Sequence, residues 1–310
     1  MIVGDGMMAS AFEHYADDDS VLIFASGVSD STEKKKTAFR RELRLLLRSI
    51  HGNPKKLFVY FSSMDASRPV GNKYFDHKLL MESVISAFCD NYIILRLPNI
   101  VGFKGNPSNL VNFFKKKVLD NKSIDVHGHA TRSILDVEDV RLVADTLIRD
   151  GERGMFRFGG VEMISAKALA EMISWLFYRV TKINVVDDGY YCDMRNSKPV
   201  QKIIYDKIDN NDYTLRTLKK YLIENRYTYW CQKCEDYHKG TIGVCPMCGT
   251  KSSNEAMYIT YDRAVFITGS FPTEEEFVRR NLLVTAGAFF KEKNNEELLR
   301  LYYRGLKRVL

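Results

Sequence analysis

A tyrosine and a lysine four residues apart, Tyr74 and Lys78, have the residue types and the spacing of an acid/base pair. On a helix this spacing brings both side chains to one face, about one turn apart. The lysine ammonium would then lower the pKa of the phenol, which could give and take a proton. Just upstream, Ser62 and Ser63 end an apolar run that begins at Leu57 and is typical of a buried strand. Hydroxyls at the carboxyl end of a strand lie where open α/β sheets place their chemistry.

The elements around this pair predict a parallel sheet. A short strand at 2–3 leads into a G-x-G-x-x-A turn, in which Gly4, Gly6 and Ala9 would allow a pyrophosphate to approach the start of a helix at 7–15. Alternating elements follow, at residues 21–27 (strand), 32–50 (helix), 57–61 (strand), 73–88 (helix) and 92–97 (strand). This alternation of strands and helices is typical of a sheet with parallel strands.

The helix predicted at 32–50 has a clear apolar side. Leu43, Leu46, Leu47 and Ile50 recur at the spacing of one helix face, so we expect them to pack on the sheet. Thr32 is the residue expected to cap the start of this helix. The basic residues nearby are interpreted as its solvent-exposed side.

One element of a complete dinucleotide-binding fold is missing. Such a fold would have about 20 further residues between the first two predicted strands, with a second strand that ends in an acid for the adenosine ribose. The sequence has Asp17, Asp18 and Asp19 here, which we interpret as a solvated turn.

Five motifs in order resemble the extended short-chain dehydrogenase/reductase superfamily, in the NAD-dependent epimerase/dehydratase group that acts on nucleotide sugars. The motifs are Gly4-x-Gly6-x-x-Ala9, the strand ending in Ser62-Ser63, Tyr74-x-x-x-Lys78, Arg96-Leu-Pro-Asn99-Ile-Val-Gly102, and Arg132-Ser-Ile-Leu-Asp-Val-Glu-Asp139. The resemblance covers roughly residues 1–225.

The resemblance implies roles for the residues of these motifs. Tyr74 would be the general acid/base, and Lys78 would hold the nicotinamide ribose and lower the pKa of the tyrosine. Ser63 would hydrogen-bond the reacting sugar oxygen, with Ser62 as the alternative. Asp139 is expected to fix the start of a helix rather than to do chemistry.

Further positions are implied to bind ligands. NAD or NADP would be the cofactor, with contacts from Gly4, Gly6, Ala9, Ser26, Tyr74, Lys78 and Pro98. Asn99 would lie at the edge of the nucleotide-sugar substrate, and Arg132 would meet its diphosphate, for which a guanidinium is well shaped.

The implied activity is 4-epimerisation or 4-keto reduction of a nucleotide sugar. Members of the family that catalyse 4,6-dehydration carry an Asp-Glu pair after the catalytic hydroxyl residue. Here Ser63 is followed by Met64 and Asp65, which argues against dehydration. The alternative is a non-catalytic or regulatory protein that kept the fold and uses a C-terminal zinc module to bind a partner protein or nucleic acid.

Four cysteines in two C-x-x-C pairs predict a metal site near the C-terminus. Cys231 and Cys234 are followed, ten residues on, by Cys245 and Cys248, a spacing typical of structural zinc in a zinc ribbon. Iron bound as in rubredoxin and a redox pair are the alternatives, and His238 could replace one cysteine. Basic residues in this region alternate with acidic ones, so nucleic-acid binding is not expected.

The length and composition of the chain limit the classes of protein to which it can belong. The 310 residues carry a net charge of +7 and contain no apolar run of membrane-spanning length, so we expect a cytoplasmic protein with no membrane contact. The predicted fold class is α/β, with a shortened Rossmann-like, doubly wound parallel sheet. The predicted domains are 1–160 (NAD(P)-binding), 161–225 (substrate-capping), 226–268 (zinc-ribbon-like) and 269–310 (helices). The apolar stripe of the last helix would suit docking on the main domain or on the second subunit of a homodimer.

Overall fold

The protein is represented by a computed structural model that describes most of the N-terminal part of the chain and three strands of the C-terminal part. The described residues are 1–67, 72–103, 105–106, 109–177, 179–189 and 193–223, with the strands at 227–231, 236–239 and 257–260. The chain divides into two compact units, Met1–Tyr221 and Leu222–Leu310, and the central sheet lies in the first.

Strands and helices alternate along the N-terminal part of the chain. The strands are β1 (Ile2–Val3), β2 (Val21–Phe24), β3 (Leu57–Ser63), β4 (Tyr92–Leu97), β5 (Asn99–Val101), β6 (Ile124–His127), β7 (Thr131–Arg132), β8 (Ile134–Asp136), β9 (Gly154–Arg157), β10 (Ile164–Ser165) and β11 (Ile183–Val186). The helices are α1 (Met7–Ala11), α2 (Lys36–Gly52), α3 (Lys73–Phe88), α4 (Leu110–Leu119), α5 (Val137–Arg149), α6 (Ala166–Leu176), α7 (Lys198–Lys207) and α8 (Tyr213–Leu222).

The central sheet has five parallel strands in the order β1-β2-β3-β4-β9. This confirms the predicted α/β class and the parallel sheet. A complete dinucleotide-binding fold continues the sheet beyond its first strand. Here β1 is the edge, because no strand of the described residues pairs with its outer side. The shortened sheet that the sequence predicts is therefore confirmed.

Side chains of each strand alternate between two cores, one on each face of the sheet. In β3, Val59 faces the core that is completed by α5 and α7. Its neighbours Phe58 and Tyr60 face the core that is completed by α2 and α3. Successive residues at the end of β3 are therefore expected to point to different faces.

Helix α2 begins later than the sequence predicts. Its first residue is Lys36, and the predicted cap Thr32 lies before it in a turn. There the Thr32 amide and hydroxyl donate to the Asp30 carboxylate over 2.8 and 2.7 Å. Thr32 is thus bound by a local turn that competes with the helix start.

The buried side of α2 also differs from the predicted one. The buried residues are Glu42, Leu46, Ser49 and Ile50, whereas Leu47 is 42% exposed. The buried side of α2 is therefore shifted around the helix axis by about one residue position from the predicted side. This shift places a carboxylate inside the protein.

The rest of the first unit extends past the carboxyl end of β4. Two strand pairs are parallel, β5 with β8 and β6 with β11, and β7 pairs antiparallel with β10. Helix α6 is capped by Ser165, whose Oγ accepts from the Ala168 amide over 3.0 Å, and it ends at Leu176.

The second unit contains a small antiparallel sheet. Its central strand is β12 (Tyr227–Cys231), flanked by β13 (Asp236–Lys239) and β14 (Met257–Thr260). Of the helices in the described part of the chain, none combines the length and the apolar character needed to cross a membrane.

Candidate active site

Tyr74 and Lys78 lie in the first two turns of α3, next to the carboxyl end of β3. The helix start is fixed by Asn72, whose side chain accepts a hydrogen bond of 2.8 Å from the Tyr74 amide. The Lys78 Nζ atom lies 5.7 Å from the centre of the Tyr74 ring. The structure therefore brings the two side chains to one face of the helix, as the spacing predicts.

The ammonium of Lys78 lies in a buried polar cluster. Lys78 is 3% exposed, and its Nζ atom donates to the Tyr60 hydroxyl over 3.0 Å. It also lies 3.5 Å from Oε1 of Glu42, a residue with no exposed surface. The cluster joins α2, α3 and β3 at the carboxyl edge of the sheet.

The Glu42 carboxylate has four polar partners. Oε1 accepts from the Tyr60 hydroxyl over 2.9 Å and faces Lys78, while Oε2 accepts from the Val28 amide over 2.7 Å and lies 3.0 Å from His77 Nε2. Burial acts to raise the pKa of Glu42. The hydrogen bond from His77 and the charge of Lys78 outweigh burial and hold this pKa at about 2.

Glu42, Tyr60 and His77 are site residues that the sequence did not predict. A signal was present for Glu42, because it shares a helix face with Leu46 and Ile50 at the i, i+4, i+8 spacing. A single acid on an apolar helix face indicates a buried charge, which needs a partner.

The pKa of Tyr74 is raised rather than lowered, contrary to the prediction. Burial is the main cause, and the charges of Glu42, Asp65 and Asp30 add to it. Burial lowers the pKa of Lys78, and the Glu42 carboxylate opposes this change. Since Glu42 is near both groups, its negative charge offsets the effect that the lysine was expected to have on the phenol.

The two serines at the end of β3 have different surroundings. Ser62 is buried, and its Oγ atom has no hydrogen-bond partner in the described part of the chain. Ser63 is partly exposed, and its Oγ accepts from the Asp65 amide over 3.2 Å. The exposed position of Ser63 is easier for a ligand to reach, whereas Ser62 has the unused hydroxyl.

The glycine turn packs tightly against the end of β2. Gly4 has a φ angle of +133°, and a Cβ atom there would lie 2.6 Å from the Ala25 carbonyl oxygen and 3.1 Å from the Ser26 amide nitrogen. Gly6 precedes α1 and has no atom within 4 Å of a Cβ position. Helix α1 covers only Met7–Ala11, shorter than predicted, and Ala9 is buried within it.

The end of β2 also approaches the lysine. A Cβ atom on Gly27 would lie 2.8 Å from Lys78 Nζ and 3.1 Å from Glu42 Oε1. A side chain at this position would push the ammonium or the carboxylate from its present place. Gly4, Ser26 and Lys78, all predicted to contact the cofactor, therefore lie along one edge of the sheet.

The predicted substrate residues lie on neighbouring strand pairs. Pro98 separates β4 from β5, and Asn99 begins β5, where its side-chain amide is 3.5 Å from the Ser133 carbonyl oxygen. Arg132 is on β7, one residue before Ser133, and it donates to the Thr131 carbonyl over 2.8 Å. Asn99 and Arg132 thus lie in adjacent segments.

A second polar cluster anchors α8 to the start of α5. Asp136 caps α5, and its carboxylate accepts from the Tyr221 hydroxyl over 2.5 Å and from Lys220 over 2.7 Å. The Tyr213 hydroxyl donates to Asp139 over 2.6 Å. The prediction that Asp139 fixes the helix start is therefore wrong, because Asp136 has that position.

Solved structures with a similar architecture are enzymes that act on nucleotide sugars. One is dTDP-4-dehydrorhamnose reductase from Clostridium acetobutylicum, with 16% identity, a TM-score of 0.51, and 69% of this chain and 84% of that chain covered. Another is UDP-glucose 4-epimerase from Thermus thermophilus in complex with NAD, with 14% identity, a TM-score of 0.50, and 69% of this chain and 81% of that chain covered. A third is UDP-N-acetylglucosamine 4-epimerase from Methanobrevibacter ruminantium in complex with UDP-N-acetylmuramic acid, with 16% identity, a TM-score of 0.50, and 71% of this chain and 82% of that chain covered. This chain shares their fold. No family model matches the sequence, and no curated protein matches it.

This Rossmann-like fold implies a dinucleotide, and the carboxyl edge of the sheet fits one end of it. The open side of Gly6 and the partly exposed position of Ser63 leave room for a ligand at this edge. The assignment of Gly6, Tyr74 and Lys78 to the pyrophosphate and nicotinamide end of the cofactor stays a prediction. At the adenosine end, no strand of the described residues pairs with the outer side of β1.

The cysteine module lies in the second unit. Cys231 ends β12, and Cys234, Cys245 and Cys248 lie outside the described residues. In the parts of the chain that are described, no group of three or more His, Cys, Asp or Glu side chains could hold a metal ion. The zinc site therefore stays a prediction.

Proposed function

We propose that this protein is an NAD(P)-dependent enzyme that modifies a nucleotide sugar at C4, by epimerisation or by reduction of a 4-keto group. The observation that carries the proposal is the placement of Tyr74 over Lys78 at the carboxyl edge of a Rossmann-like sheet, beside the Ser62-Ser63 strand end. The fold is shared with reductases and epimerases of this class.

The chain would supply binding and proton transfer. The nicotinamide, when bound, would accept or donate the hydride at C4. Tyr74 would move the proton at the sugar oxygen, and Ser63, or Ser62 as the alternative, would hydrogen-bond that oxygen. Lys78 would contact the nicotinamide ribose, while Asn99 and Arg132 would hold the sugar edge and the diphosphate.

The two reactions differ in whether the cofactor is consumed. Reduction adds a hydride and a proton to the ketone, so one NAD(P)H is oxidised for each product formed. Epimerisation removes and returns the hydride, so the cofactor shows no net change. Mixing the protein with UDP- or dTDP-sugars and following both absorbance at 340 nm and sugar products by mass spectrometry distinguishes them.

The decisive experiment combines dinucleotide titration with a tyrosine variant. We expect NAD(H) or NADP(H) to bind the purified protein, and Tyr74→Phe to lower turnover about 100-fold or more, since it removes the proton-transfer group. Tyr205→Phe is the matched control, because Tyr205 is 88% exposed on α7. Failure of both dinucleotides to bind, together with full activity of Tyr74→Phe, would refute the proposal.

A second candidate is the non-catalytic protein, which the edge position of β1 favours. Without further strands, the described residues provide only part of a dinucleotide site. In that case the C-terminal module would contact a partner protein or nucleic acid. Unchanged melting temperature with every dinucleotide and nucleotide sugar, combined with retention on nucleic acid that decreases with salt, would support this candidate over the enzyme.

We further propose that Cys231, Cys234, Cys245 and Cys248 bind one structural zinc ion. The support is the C-x-x-C spacing and the position of Cys231 at a strand end, with β13 following it. We expect one zinc per chain by elemental analysis, and loss of zinc with lower stability in Cys248→Ser, because metal binding is coupled to folding. Cys89→Ser is the control, and equal zinc content in both variants would contradict the site.

A further inference from the structure

The cluster beneath Tyr74 contains a charge that the proposed reaction does not require. Lys78 is faced by Glu42 from α2, by Tyr60 from β3, and by Tyr74 and, at longer range, Glu82 from its own helix, whereas His77 contacts the Glu42 carboxylate. Removing two ions from water is costly, and a buried ion pair is often no more stabilising than apolar residues of the same size. Stability alone therefore gives little reason for Glu42.

The geometry of the cluster leaves part of the ammonium unused. A lysine ammonium has three N–H donors. Among the described contacts, one is directed at the Tyr60 hydroxyl at 3.0 Å and one at Glu42 at 3.5 Å. The Tyr60 hydroxyl itself donates to Glu42 over 2.9 Å, so it links the two charges. The third donor has no partner among the described contacts, and the centre of the Tyr74 ring lies 5.7 Å from Nζ.

We propose that Glu42 is a positioning residue, which keeps Lys78 protonated and holds its ammonium beneath Tyr74, directly and through the Tyr60 hydroxyl. This inference rests on the proposed function for its role in catalysis. The charge state of Lys78, however, is a property of the folded protein that can be measured without any activity. Val28, whose amide binds Glu42 Oε2, and His77 hold the carboxylate in place.

A direct measurement is the titration of Lys78 by NMR. The protein is labelled with ¹³C at lysine Cε, and the Lys78 signal is assigned by its loss in Lys78→Arg. We expect the titration midpoint of Lys78 to move to lower pH in Glu42→Gln by about one to three pH units, because an opposite charge at this distance favours the protonated form. Glu42→Asp should recover part of the change. Equal midpoints in wild type and Glu42→Gln would overturn the proposal.

Glu82→Gln is the matched control. Glu82 is also a buried acid and pairs with Arg96 through bonds of 2.9 and 2.6 Å. Its loss breaks an ion pair between α3, the helix of Lys78, and β4, while leaving the contacts of Nζ intact. We expect a smaller change in the Lys78 midpoint than in Glu42→Gln. If Glu42→Gln does not fold, Tyr60→Phe removes the linking hydroxyl and should still lower the midpoint; an unchanged midpoint there would count against the proposal.

The kinetic experiment separates this inference from the proposed function. In an active enzyme, Glu42→Gln should lower kcat and move the alkaline limb of the pH profile to lower pH, since Lys78 loses its proton earlier. A purely structural role would reduce the amount of active protein without moving that limb. If the wild type binds no dinucleotide and Tyr74→Phe keeps full activity, the proposed function fails, while the NMR titration still decides whether Glu42 controls the charge of Lys78.

Discussion

On the α5/α7 face of the central sheet, the core consists of aliphatic and aromatic side chains such as Val59, Ile93 and Leu147. On the α2/α3 face, a similar apolar core ends at the carboxyl edge of the sheet in the charged cluster of Glu42 and Lys78. Both faces stabilise the same strands. At this end of the α2/α3 face, charged side chains therefore take the place of apolar packing. Such an arrangement is typical of functional sites, because a buried ion pair adds little stability.

The largest effect on stability is expected from breaking the charged cluster. Lys78→Met should lower the free energy of unfolding by about 3–5 kcal/mol, because it leaves the Glu42 carboxylate buried without its ion-pair partner. Urea unfolding measures this change. Lys73→Met, at an exposed position of the same helix, should change stability by less than about 0.5 kcal/mol. If both variants unfold alike, the cluster is not an ion pair in solution.

A related effect should appear in acid. The pKa of Glu42 is lowered to about 2 from an ordinary 4.5, so the unfolded chain binds this proton more tightly than the folded protein. The stability that ionisation of Glu42 adds, relative to its protonated form, is complete above pH 4.5 and is lost as the pH falls toward 2; it is on the order of 3 kcal/mol. The stability difference between wild type and Glu42→Gln should therefore shrink between pH 5 and pH 3, and a constant difference would contradict the low pKa.

The two serines test which side of β3 meets the substrate. We expect Ser63→Ala to lower kcat about 100-fold, because it removes a hydrogen bond to the reacting oxygen, and Ser62→Ala to lower it less. Steady-state rates with the preferred nucleotide sugar measure both. The reverse order would assign the hydroxyl role to Ser62, on the strand face that carries Tyr60.

The smallest effect is expected on the apolar face. Ile93→Val should lower the free energy of unfolding by about 0.5–1.5 kcal/mol through the loss of one buried methylene group, with no change in kcat or in the pH profile. Urea unfolding and the same activity assay serve as readouts. An altered pH profile in Ile93→Val would show that the two faces are not independent.

Much of the fold could be predicted from local patterns. The bounds of β4 and α3 match the prediction, because strong apolar runs and turn residues set them. The pairing of Tyr74 with Lys78 followed from helix geometry alone. The start of α2 could not be found in this way, since the Asp30 carboxylate binds Thr32 in a turn that precedes the helix.

The buried carboxylate was missed for a different reason. The leucines of α2 are numerous enough to fit two overlapping stripes, and only the packing of the helix on the sheet selects the one that includes Glu42 and exposes Leu47. The partners of Glu42 come from β3 and α3, which are distant in sequence. The raised pKa of Tyr74 comes mainly from burial, with the charge of Glu42 adding to it, so it could not be predicted before the packing was known.

The order of strands in the sheet has a consequence for folding. The first four strands, β1 to β4, lie side by side in the order in which they occur in the chain. Each strand can therefore pair with the one synthesised just before it, and only β9, which joins β4 after an interval from Leu97 to Gly154, closes a long loop. A full dinucleotide fold must instead reverse direction after its third strand. The shortened sheet has no such reversal, so its strands can add one after another, starting from β1, as the chain is synthesised. Most contacts between its strands are then local in sequence.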